Sequence, residues 1–137
     1  MTTAGFKDSG NMIADFAQFD LEQEIRDLEQ HHPWQSGLHS KTLVKKEDLR
    51  VVLLAMEPGA TLKEHHADGS ITVQVLRGEI RFRAQESEHS LKAGQMLTLG
   101  RSIKHAVESV ADSAFLLTIS WPSAEELAML KHRGYST

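Results

Sequence analysis

A chain of 137 residues, 25% charged and 40% hydrophobic, has the length of one domain and enough apolar surface for a single core. A net charge of -4 without any concentrated Lys/Arg run removes the electrostatic footprint of a nucleic-acid binder. No cysteine is present, which excludes disulfides, thiolate nucleophiles and Cys-based zinc sites, so any transition metal must use His, carboxylate or water.

Residues 1–19 carry only scattered apolar groups, Met12, Ile13, Phe16 and Phe19, and read as an arm. Met1 to Asp8 lacks the basic start and apolar run of a signal peptide, and no stretch is long enough to cross a bilayer; the expected location is the cytoplasm, without a membrane partner. Asp20 caps a short helix whose Leu21, Ile25 and Leu28 recur at helical spacing, with Gln23 placed to reach back to the cap. The segment from His31 to Gly37 reads as a loop, broken by Pro33 and Gly37, with Trp34 packing onto the barrel strands. Lys41 to Val44 and Arg50 to Met56 form a hairpin around the charged turn at 45–48. Ser70 to Leu76 and Ile80 to Ala84 alternate strictly, and shorter strands come after Glu88, from Gln95 to Leu99 and from Ala114 to Ser120. Ser123 and Glu126 form a capping box for a C-terminal helix bearing Leu127 and Leu130. Short strands at this spacing predict an all-β sandwich or barrel. The expected organisation is an arm, helix and loop over 1–40, a barrel over 41–122, and a helix and tail over 123–137.

Two spacings carry more information. Gly59, His65, Ala67, Ile71 and Gly78 fall on the positions of G-x5-H-x-H-x3-E-x6-G, with Ala67 and Ile71 replacing the second His and the Glu. Gly94 and His105 fall on G-x5-P-x-G-x2-H-x3-N, with Gly100, Ser102 and Ser109 at the proline, second glycine and asparagine positions. From Leu43 to Trp121 the chain resembles a small single-domain cupin of the conserved-barrel type with degenerate metal motifs. The resemblance implies a double-stranded β-helix, that is, a jelly-roll barrel, flanked here by the two short helices.

Parity supports this frame. His65, Ala67, Ile71, Val73 and Val75 share one parity, so one barrel-facing row carries both the histidine and the apolar stripe. A frame on His66, Asp68 and Thr72 would turn that stripe outward, although the Asp68-Gly69 turn could reset it. The expected pocket is His65, Ala67, Ile71, Val73 and His105. The resemblance implies His65 and His105 as ligands of a divalent Fe, Ni, Mn or Zn ion, with His66 or Gln74 as auxiliary donors. No cofactor is required by the residues alone, and the two histidines could equally orient a ligand's polar group. His31 and His32 read as a solvated pair, and His39, His89 and His132 as surface groups. Arg81 and Arg83, alternating with Ile80 and Phe82, point away from the apolar face.

Two functions are expected. One is a binding or sensing module for a small organic molecule in the two-His pocket; the other is a metal-dependent oxygenase or isomerase working with a reduced ligand set. A homodimer is expected in either case, covering outer-face Leu76, Phe115, Leu117 and Trp34, with the arm bearing Phe16 and Phe19 crossing to the partner's sheet.

Overall fold

A computed structural model describes residues 15–121 and Ala128. Residues 1–14 and, Ala128 aside, the expected C-terminal helix over 123–137 lie outside the described residues.

Helix α1 (Leu21–Glu29) starts where the cap predicts, with Asp20 Oδ1 accepting the Gln23 backbone N–H at 3.3 Å. The Gln23 side chain does not reach back. It donates to Asp27 at 2.9 Å and accepts from Arg26 at 2.8 Å, its neighbours one turn away on the exposed face. The opposite face buries Ile25 and Leu28.

The described residues also form nine strands: β1 (Leu38–Lys45), β2 (Leu49–Met56), β3 (Thr61–His65), β4 (Ser70–Arg77), β5 (Glu79–Ala84), β6 (Ser87–Lys92), β7 (Met96–Leu99), β8 (His105–Ser109) and β9 (Ser113–Ser120). They form two antiparallel sheets, ordered β1-β2-β9-β4-β7 and β3-β8-β5-β6. The all-β jelly-roll expectation holds, with one difference. The sheets face each other without closing, because β6 and β7 meet at a seam with no ladder between them.

The main core fills the space between the sheets with Leu54, Met56, Ile71, Val73, Val75, Ile80, Phe82, Leu91, Val107 and Phe115. Burying each large apolar side chain here contributes about 1.5–3 kcal/mol. A second cluster lies on the outer face of the five-stranded sheet, where Ile25 and Leu28 of α1 cover Leu43, Leu53, Ala55 and Ala114, with Phe19, Trp34 and Leu76 at its margin. Two residues expected on that outer face are elsewhere. Phe115 is 2% exposed in the main core and Leu117 packs against it, because β9 pairs Phe115 with Leu54 and Val75 on the inward parity. The outward residues of β9 are Ala114 and Leu116, both in the helix-covered cluster. Arg77, bonded to Glu22 and Glu29, ties α1 to the end of β4.

The two ends of the sandwich differ. At one, Met56, Val75, Ile80 and Phe115 are all essentially sealed, and Gly78 turns the chain tightly: φ is +77°, and a methyl there would run into Asp112 and Ser113. At the other, one row across the five-stranded sheet reads Arg50, Ile119, Ile71, Leu99, and the facing row reads His65, His105, Ala84.

Candidate functional site

A β-bulge aims the first histidine. Leu62 pairs with Val107 on the inner face and His65 pairs with His105, so three steps along β3 match two along β8. Strict alternation from Leu62 would send His65 outward. The extra residue at Lys63-Glu64 restores it to the inner side, which is the way bulges redirect side chains. His65 stays exposed at the rim, whereas His105 is 4% exposed beneath it. Their ring centroids are 4.3 Å apart and tilted by 59°. Below, Phe82 stacks on His105 at 5.3 Å and 11°.

Backbone carbonyls fix both rings. His65 Nδ1 lies 2.8 Å from the Lys63 carbonyl and His105 Nδ1 lies 3.0 Å from the Ile103 carbonyl. A neutral imidazole that donates from Nδ1 leaves Nε2 as a bare acceptor, so the pair presents two acceptors. Burial lowers the pKa of His105; the Ile103 carbonyl opposes this, while nearby His65 and His66 reinforce it. His105 therefore remains neutral below the pH at which a free imidazole protonates.

Beside the pair lies a cavity of about 720 Å³ that opens at the β6–β7 seam. Phe82, Ala84, Leu91, Leu97 and Leu99 supply its apolar wall. Neither histidine lines it; the connection runs through Phe82, stacked on His105, and Ala84, paired with it.

Solved structures resemble this architecture. A conserved protein of unknown function from Streptococcus pyogenes matches at 25% identity and TM-score 0.66, over 83% of this chain and 95% of that one. A cupin 2 conserved barrel domain protein from Leptotrichia buccalis matches at 30% identity and TM-score 0.61, over 69% of this chain and 46% of that one. A cupin superfamily protein from Desulfitobacterium hafniense matches at 15% identity and TM-score 0.62, over 68% and 85%. The fold is that of a small cupin. No protein-family model and no curated protein sequence matches the chain.

Within this cupin frame the other expected pocket residues divide. Ile71 and Val73 are 3% and 1% exposed and serve as core. Ala67 is half-buried against that core, its carbonyl accepting the Ser102 N–H at 2.8 Å. His66 is exposed near enough to His105 to act on its charge. Gln74 is exposed on the outer parity of β4, away from the pair. A resident metal does not fit the donors that are present: among the described residues no three of His, Asp and Glu converge, and two imidazoles fall short of a stable site. Arg50 is the group that the sequence does not single out. The available signal is its inward parity with Val52, Leu54 and Met56, unexpected for a charge.

Proposed function

We propose that this cupin is a binding or sensing module that holds a small organic molecule at the open end of the sandwich, with His65 and His105 accepting hydrogen bonds from its polar group. The observation that carries this reading is the pair itself: two adjacent imidazoles, each with Nδ1 engaged by a backbone carbonyl and Nε2 left over. Two acceptors select a ligand that donates, such as a hydroxyl or an amide. The apolar wall through Phe82 and Ala84 suits a ligand with a carbon skeleton to cover.

The rival reading is catalysis at a divalent metal held by His65 and His105. Elemental analysis of tag-free protein separates the two. Well under one equivalent of Fe, Ni, Mn or Zn is expected; a stoichiometric metal lost together in His65→Ala and His105→Ala would overturn the binding-module reading.

Assembly belongs to the same proposal. Phe16, 79% exposed, is the apolar group that a second copy would cover. Light scattering is expected to give a dimer at micromolar concentration, and a monomer there would remove this part.

A further inference from the structure

Among the described residues Arg50 has no counterpart to its charge. Its guanidinium carbon lies 5.3 Å from the centroid of the half-buried Trp121 ring, and its Nε is buried without a hydrogen-bond partner. Among the described residues no carboxylate pairs with it, although every other ion pair of the fold involves an exposed or rim group. A π-face offsets the charge but cannot accept the in-plane Nε–H, so the donor stays unsatisfied.

Topology places this cation opposite the histidines. Along β2, Val52, Leu54 and Met56 enter the main core while Val51, Leu53 and Ala55 lie under α1, so Arg50 belongs to the inward set. Residues 57–60 join the end of β2 to the start of β3, and β3 then runs back, which brings its last residue, His65, to the end of the sandwich where β2 begins. A second route agrees. Arg50 shares its row with Ile71, and residues 66–70 connect Ile71 directly to His65. One mouth therefore holds a half-buried cation whose Nε–H has no partner and two imidazoles whose Nε2 atoms are left over.

We propose that Arg50 binds the carboxylate of the molecule whose hydroxyl groups donate one each to His65 and His105, so that the ligand is a small polyhydroxy carboxylic acid; this rests on the reading of the histidine pair as a binding site. A planar guanidinium matches a carboxylate with two parallel hydrogen bonds, and Nε–H is one of the two natural donors for that fork. The histidine pair suits hydroxyls, because each unprotonated Nε2 repels an anion and accepts from one O–H. Each end of a hydroxy acid thus meets the group that fits it, and the reversed orientation leaves both ends unmatched.

Three fragments test this: glycerate, with hydroxyls and a carboxylate; glycerol, with hydroxyls only; and propionate, with a carboxylate only. Each is titrated into the full chain while the Arg50 Nε–H and His105 ring resonances are followed by NMR. Glycerate is expected to move both signals and to bind about tenfold more tightly than either partner fragment, the weight of one charge-assisted hydrogen bond. Arg50→Gln should bring glycerate down to the affinity of glycerol. Because that variant removes a packed side chain, the Nε–H shift in the unmutated protein is the parallel readout. Equal affinities for glycerate and glycerol, with His105→Gln weakening both, would overturn the role of Arg50 and leave the histidine site standing. Glycerate binding lost in Arg50→Gln but indifferent to His65→Gln and His105→Gln would overturn the two-point ligand. Failure of all three fragments to move either resonance would overturn both readings.

Discussion

The two ends of the sandwich are built from the same strands and do opposite things. Where Met56, Val75, Ile80 and Phe115 converge, almost nothing polar is buried except Ser109 and Ser113, and their hydroxyls donate to the carbonyls of Ala111 and Glu79. Along the two facing rows that carry Arg50 and the pair His65 and His105, donors and acceptors are left over. The difference shows how a small barrel can concentrate its stability at one end and keep the other chemically unsaturated.

The strongest way to break this division is to make the open end a metal centre. Ala67→His with Ile71→Glu supplies two donors at the end of the sandwich that holds His65, one from the β3–β4 connection and one from the row facing the histidines. The apo variant should lose several kcal/mol, since a carboxylate enters a position that is 3% exposed, and zinc should restore that loss. Thermal melts with and without zinc measure both effects; a well-folded variant indifferent to zinc would show that these positions do not face the pair. The converse experiment sharpens the sealed end. Phe115→Ala should cost about 3–5 kcal/mol in chemical denaturation while leaving the His105 ring resonance nearly in place.

A smaller effect is expected from pH. Unfolded, His105 takes up its proton near 6.5; folded, it does so at lower pH, chiefly because it is buried. Between those two values the unfolded chain binds more protons, so stability rises with pH. The contribution is fully present above 6.5 and declines as pH falls towards the folded value. His105→Gln should flatten this part of the stability curve, and denaturation series run above and below 6.5 would reveal it.

Much of the scaffold is legible in the sequence, for reasons that also explain the misses. Asp20 with Leu21, Ile25 and Leu28 specifies α1, and Ile71, Val73 and Val75 specify the buried face of β4. β3 offers a single apolar residue, Leu62, and its bulge breaks alternation, so only the motif spacing points to it. β9 runs apolar from Ala114 to Leu117 on both parities, so nothing local tells which residues face inward, and Phe115 and Leu117 are expected on the wrong side. His65 and His105 are legible through spacing alone. Arg50 is not legible as a site residue, since its isolation depends on which partners three-dimensional packing withholds.

The bulge at Lys63-Glu64 sets how this mouth could change over time. Whether His65 serves the interior depends on the bulge and not on residue identity, so straightening the strand between Leu62 and His65 with the residue count unchanged would swing the imidazole out to solvent with no histidine lost. His105, held by the inward parity of β8, would stay behind alone. Relatives that keep both histidines but lack this bulge at the same chain length would therefore look equivalent by composition and diverge in what their mouths can hold.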